Sequence, residues 1–286
     1  MTQTTMRRCP YRTATAPPFR GYAFDLDGTI YLGDTLIVGA ADVIASLRAG
    51  GARVVFVTNK PLETSADYAK KLTKLGIPAS PTDIVSAIDA LLLYLAERHP
   101  GARLMPIAEP LLIDELRRAG FEVSEDPGDI DVVVVSFDRT FDYRKLLLAY
   151  QAVRAGAVIV ATNPDPYCPT PDGGLPDCAA MLAALEACTD ATAEAIVGKP
   201  SPYMANAFLD RLGVPAKDAV MVGDRLLTDV AMGLSAGMAS ALVMSGATTE
   251  QLLAESTFSP TFVLADVRGL VAPALHNQTH QQNRNP

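Results

Sequence analysis

The 286-residue chain contains no tryptophan, three histidines and four cysteines. Cys9, Cys168, Cys178 and Cys188 stand far apart and form neither a CxxC pair nor a cysteine–histidine cluster. That spacing argues against a zinc site and points to reduced thiols in a cytoplasmic protein. His99 is isolated, and His276 and His280 fall near the polar C-terminus, so no histidine is assigned a catalytic task. Positive charge is also in short supply: 24 Lys and Arg against 32 Asp and Glu leave a formal charge of −8. A chain this acidic is a poor partner for nucleic acid, and an anionic substrate would need local cations to overcome the overall field. Long apolar runs are missing too. The stretch 90–96 is far too short to cross a membrane, and no apolar core follows Arg7-Arg8 as an export signal would require. A soluble, intracellular protein without a membrane partner is expected.

What is present is a chain 49% hydrophobic, long enough for a large core and two domains. Residues 1–17 and 273–286 read as disordered polar tails. Between them, short apolar runs at 22–26, 54–57, 132–135, 157–160, 195–197, 219–222 and 240–243 read as strands. They alternate with helical patterns at 40–49, 64–75, 143–154, 179–187 and 202–212. Alternation of this kind implies an α/β fold, a doubly wound parallel sheet with helices on both faces.

Several of these strands end in chemically capable groups: Asp25 and Asp27, then Thr58-Asn59, then Gly198-Lys199, then Gly223-Asp224. Ligands of open parallel sheets bind at the carboxyl ends of the strands. If the strands are neighbours, one crevice collects carboxylates, a hydroxyl, an amide and a lysine. Thr58 and Lys199 are then expected on one sheet edge despite their distance in sequence. This divides the chain into a core of 18–81 and 191–272 and an inserted α/β domain of 82–190, with Pro81 and Pro100 marking breaks.

Each motif alone has an ordinary explanation. Asp-Leu-Asp-Gly-Thr at 25–29 could be a calcium-loop fragment or a capped turn, Thr-Asn a helix cap, Gly-Lys-Pro a turn with a solvated lysine, and Gly-Asp a helix start. In this order and at strand ends they describe a site for a phosphate monoester. Two carboxylates about 4 Å apart repel by roughly 4 kcal/mol at an effective dielectric near 20, which a cation relieves. Mg²⁺ suits such an oxygen site. Asp25 is expected as nucleophile and Asp27 as general acid and then base. Asp224 is expected to hold the metal, and Asp229 to orient metal-bound water or pair with Lys199. Thr58 and the backbone around Asn59 would bind phosphate oxygens, helped by a helix opening near Pro61, and Lys199 would neutralise charge.

The stretches 25–29, 58–59, 198–200 and 223–229 resemble the four motifs of the haloacid dehalogenase-like hydrolase superfamily, over roughly 21–270, and 68–77, 161–165 and 199–204 also resemble one of its subfamilies. Their order and the large insertion between the second and third motifs resemble subfamily IIA, which carries a C2-type α/β cap. That group includes nucleotide, sugar phosphate, phosphoglycolate and pyridoxal phosphate phosphatases. The resemblance implies a Rossmann-like core, required Mg²⁺ and an aspartyl-phosphate intermediate. By position it implies metal ligands from the Asp25 carboxylate, the Asp27 backbone carbonyl and Asp224, and phosphate contacts from Thr58, Asn59 and Lys199. It further implies a cap that roofs the site, and relatives that often associate through that cap to form homo-oligomers.

Lys60 departs from the pattern, since many relatives carry a second asparagine there. It either contacts a second anionic group of the substrate or lies outward in solvent. Asp165, within the rigid Asn163-Pro164-Asp165-Pro166-Tyr167 segment, is the first candidate for contact with the leaving group, against a structural Asx-turn. Arg139 and Arg225 are either readers of a second anion or surface arginines. The expected partner is a small phosphate ester. A phosphotransferase or mutase with the same nucleophile, or a non-catalytic scaffold that binds phospholigands, are the alternative functions. A receiver-type switch is disfavoured by the insertion and by Asp27.

Overall fold

The computed structural model describes residues 18–170 and 173–271; both expected tails lie outside them. Two parallel sheets organise the chain. The first has six strands in the order Phe262–Leu264, Ala239–Val243, Ala219–Gly223, Gly21–Asp25, Arg53–Thr58 and Ile84–Ser86. Their sequences, such as Val54-Val55-Phe56-Val57, are nearly continuous apolar runs because both faces are covered. Tyr22, Phe24 and Phe56 pack on one face against helices Ala40–Ala49 and Ser65–Lys74. Ala23, Val55 and Val57 pack on the other against Ala87–Arg98 and Pro202–Leu212. Burying each of the large side chains contributes roughly 1.5–3 kcal/mol.

The register of this sheet positions the site. Gly21 aligns with both Ala219 and Arg53, so the three central strands start level and their carboxyl ends emerge side by side. From Gly21–Asp25 the chain builds outward through Arg53–Thr58 to Ile84–Ser86, and later returns through Ala219–Gly223 on the opposite side. The direction of winding therefore reverses where Asp25 and Asp224 leave the sheet, the usual place for a ligand crevice.

The second sheet has five parallel strands in the order Ala195–Ile196, Val158–Ala161, Val132–Val135, Arg103–Ile107 and Glu122–Val123. Helices Pro110–Arg118, Tyr143–Ala155 and Cys178–Thr189 accompany it, with a hairpin of Tyr167–Thr170 and Gly173–Pro176. Helix Ala87–Arg98 links the two halves. Its Leu91, Tyr94 and Leu95 belong to one apolar cluster with Leu104 and Val132 of the second sheet and with Val55 and Phe208 of the first half.

Three expectations change. Residues 84–86 do not open the insertion but pair in parallel with Phe56–Thr58 in the first sheet. Pro81 starts a single helical turn there, and a three-residue strand carries too little periodicity to be read. At the other end, Ala195–Ile196 pairs with Val160 and Ala161, so it belongs to the second sheet. Finally, the helix read over 64–75 is present as Ser65–Lys74, but its start, capped by Thr64 and Asp67, lies four residues past Pro61, where its N-terminus was expected to help bind phosphate.

Candidate active site

Asp25 ends the central strand, and the chain then turns sharply. Leu26 carbonyl accepts from the Ile30 N–H at 2.9 Å, and the Gly28 N–H donates to the Tyr31 carbonyl at 2.8 Å. Gly28 sits at φ +89°, and a Cβ there would run into the Asp224 carboxylate. The glycine therefore lets this loop carry Asp25 and Asp27 close against the strand that delivers Asp224.

Asp25, Asp224 and Asp229 are buried and place carboxylate oxygens within 4.8 Å of one another. The Lys199 ammonium, 2% exposed, donates to Asp25 Oδ1 and to Asp229 Oδ1, the latter at 2.7 Å. Burial alone would lower the Lys199 pKa, but the charges of Asp229 and Asp25 outweigh it and raise it. One ammonium among three carboxylates leaves an excess of negative charge. Accordingly Asp224 is pushed up to about 6, by burial and then by the Asp25 charge. Asp229 is pushed up to about 7, by burial and against the pull of Lys199. Asp27 is also raised, by burial first and Asp25 next, against the Lys60 ammonium.

Asp224 shows what is still unsatisfied. Its Oδ2 accepts from the Ala247 N–H at 2.5 Å, and its backbone carbonyl accepts from Thr248 Oγ1 at 2.5 Å. Its Oδ1 is buried and has no hydrogen-bond partner. Asp229 is different: its second oxygen accepts from the Arg225 N–H at 3.1 Å, and a Cβ on Gly223 would overlap its carboxylate. Asp229 is thus committed to Lys199 and its own turn. An orphaned carboxylate oxygen in a buried, oxygen-only set with surplus negative charge fits a hard divalent cation.

Lys199 arrives by an unexpected route. It follows the last strand of the second sheet, so the cation comes across from the insertion. Asn59 fixes it: Asn59 Oδ1 accepts from the Lys199 N–H at 2.7 Å, and Asn59 Nδ2 donates to the Lys199 carbonyl at 3.2 Å. The Asn59 side chain therefore staples two motifs together at the edge of the cleft. Thr58 Oγ1 accepts from the Lys60 N–H at 3.1 Å, and Lys60 Nζ lies 4.0 Å from Asp27 Oδ2.

Asp165 comes from the second sheet and makes two contacts with the core. It accepts from Asn59 Nδ2 at 2.9 Å and from the Arg225 guanidinium at 3.4 Å. The Asx-turn also exists, because the Asp165 N–H donates to Asn163 Oδ1 at 2.9 Å. Arg139 is elsewhere, paired with Glu109. The cleft, about 70 Å³, is lined by Asp25, Asp27, Thr58, Asn59, Lys60, Asp165 and Lys199 together with Tyr167, Cys168, Asp177, Arg225 and Thr228. It is small beside the 300–1,000 Å³ of typical ligand pockets, and suits a phosphoryl group.

The sequence reading missed two features. The loop at 245–248 cradles Asp224, and Ser245 Oγ donates to the Gly28 carbonyl at 2.8 Å. Its signal was a Ser-Gly-Ala-Thr cluster directly after a strand. Asp177 enters the cleft as the cap of helix Cys178–Thr189, a position no motif announced.

Three buried aspartates at a sheet switch point, sharing one lysine, define a hydrolase-type site for anionic groups. Residues 22–122 match the family model described as haloacid dehalogenase-like hydrolase, and 196–270 match a second, HAD-hydrolase-like model. The sugar-phosphatase AraL of Bacillus subtilis is 36% identical over 248 residues, covering 87% of this chain and 90% of that protein. An acid sugar phosphatase of Staphylococcus epidermidis is 33% identical over 254 residues, covering 89% and 97%. The crystal structure of a 4-nitrophenylphosphatase from Thermotoga maritima superposes with a TM-score of 0.84 at 33% identity, covering 88% and 96%. The chain belongs to the haloacid dehalogenase-like hydrolases, in subfamily IIA, and is a phosphoric monoester hydrolase. Among the described residues, no helix is long and apolar enough to cross a membrane.

Proposed function

We propose that the protein is a Mg²⁺-dependent phosphatase of small phosphorylated metabolites, sugar phosphates among them, working through an aspartyl phosphate on Asp25. The observation that carries this is the unpartnered Oδ1 of Asp224 beside Asp25, Asp229 and Lys199. Asp25, the Asp27 backbone carbonyl and Asp224 would hold the ion. Bound Mg²⁺ would neutralise phosphate charge and orient it for in-line attack.

Asp25 attacks phosphorus with a carboxylate oxygen, and the bond from phosphorus to the leaving oxygen breaks. Asp27 donates its proton to that oxygen; burial shifts it towards the acid form. Water then attacks phosphorus, Asp27 takes the water proton, and the bond to Asp25 breaks to restore the carboxylate. Lys199 balances charge on Asp25 throughout, and Asn59 holds the lysine backbone in register. Lys60 opposes the rise in the Asp27 pKa and so tunes the acid. Sugar-phosphate substrates are supported by the two relatives named as sugar phosphatases.

Phosphate release is the test, measured across sugar phosphates, nucleotides, phosphoglycolate and pyridoxal phosphate, with Mg²⁺ or with EDTA. Release that requires Mg²⁺ and disappears in Asp25→Asn supports the reading. Release undiminished by EDTA or by Asp25→Asn overturns it.

A further inference from the structure

Next to the phosphate cleft lies a second hollow of about 570 Å³, and the two share Asp165, Tyr167, Arg225 and Thr228 as common walls. The first space holds the catalytic ionisable groups; the second is lined mainly by prolines, leucines and a tyrosine, with Asp165, Arg225 and Glu255 at its polar margin. Pro164, Pro166 and Tyr167 line it from the turn of the second sheet, and Leu226, Leu227 and Leu252 line it from the core. Three of these side chains remain strongly exposed: Tyr167 at 53%, Leu227 at 72% and Leu252 at 52%. Large apolar side chains gathered in water around one concave space mark a surface that gains by being covered. Here the covering group is constrained, because the two spaces adjoin at these residues, and a group that lies in the hollow while its phosphate sits at Asp25 is the leaving group of the ester.

We propose that this hollow is a subsite for an apolar, ring-bearing leaving group, an inference that rests on the phosphatase reading above. Its volume falls within the 300–1,000 Å³ of ordinary small-ligand pockets and exceeds the roughly 150 Å³ that encloses benzene. Arg225 stands on the shared wall with its guanidinium held by Asp165, and so presents a flat partner over which a ring can pass. Selectivity then comes as much from core residues 226, 227 and 252 as from the inserted domain.

The test compares benzyl phosphate with glycerol phosphate and methyl phosphate, all esters of alkoxide leaving groups, in wild type, Leu227→Asp and Leu252→Asp. Both leucines are exposed, so charge at either is compatible with folding; circular dichroism checks this. Wild type is expected to favour benzyl over glycerol phosphate in kcat/KM by about tenfold or more, and each variant to shrink that ratio by about tenfold. A wild-type preference for glycerol phosphate, or a ratio the variants do not move, overturns the subsite. If no ester is hydrolysed, the phosphatase reading falls instead. Calorimetric binding of benzylphosphonate against methylphosphonate still decides the subsite: weaker benzylphosphonate binding in the variants supports it, equal binding overturns it.

Discussion

The two sheets carry the same kind of groups at their carboxyl edges and use them oppositely. Beyond Val132–Val135 and Val158–Ala161 lie buried Ser136, Asp138 and Thr162. They satisfy one another locally: Thr162 Oγ1 donates to Ser136 Oγ at 2.9 Å. Asp138 accepts from the Thr140 N–H at 2.8 Å, from Thr140 Oγ1 at 2.7 Å and from Lys145 Nζ at 2.5 Å. At the first sheet the carboxylates crowd each other, share one ammonium, and leave Asp224 Oδ1 unpaired. A strand-end aspartate is thus saturated where residues close in sequence partner it, and left open to a ligand where unlike elements supply too few donors.

Exchanging the two kinds of aspartate is the sharpest way to break this contrast. Asp25→Asn is expected to lower kcat by about 10³-fold or more, with the fold retained, since an amide is no nucleophile. Asp138→Ala should do the reverse. It removes the carboxylate that Lys145 and Thr140 share, leaving the two bonded to each other, and is expected to cost about 2–4 kcal/mol of stability, read by denaturant unfolding, with kcat/KM preserved. Comparable activity loss in both variants would erase the distinction.

Asp177 sits between the two regimes, buried in the cleft yet capping a helix through the Cys178 N–H. Burial, then the backbone hydrogen bond opposing it and the Asp165 charge reinforcing it, leave its pKa at about 6. A folded-state pKa above the unfolded value near 3.8 means that the folded form binds the extra proton. The resulting stability is present below the unfolded pKa and lost as pH rises through about 6. Asp177→Asn should therefore be more stable than wild type at pH 8 by about 1–3 kcal/mol, and the difference should vanish near pH 4. Parallel stability curves across that range would show that Asp177 is not perturbed.

The smallest effect belongs to the cradle. A Cβ at Gly246 would overlap the Asp224 carboxylate. Gly246→Ala is expected to raise the Mg²⁺ concentration for half-maximal activity by about tenfold, with little change in kcat at saturating ion. An unchanged Mg²⁺ requirement would mean that Asp224 does not hold the metal.

Much of this was legible without coordinates. Near-continuous apolar runs ending in Asp25, Thr58 and Gly223-Asp224 carried the parallel sheet and the converging carboxylates, because hydrophobic periodicity and strand-end position are local properties. The strands Ile84–Ser86 and Glu122–Val123 were not legible: they are two or three residues long and exist only through pairing with neighbours.

The sequence alone determined which groups this protein brings to its chemistry: acidic side chains after apolar strands, one lysine in Gly-Lys-Pro, and glycines where the backbone must pass close to a carboxylate. Only the tertiary structure decided how they are shared. That Lys199 reaches Asp25 from the second sheet, that Asn59 spends its amide on the Lys199 backbone and Asp165, and that Asp224 is left with a buried oxygen no donor reaches are outcomes of long-range contact. Such contacts join residues more than a hundred positions apart, and their geometry follows from sheet register and packing, which no local pattern encodes.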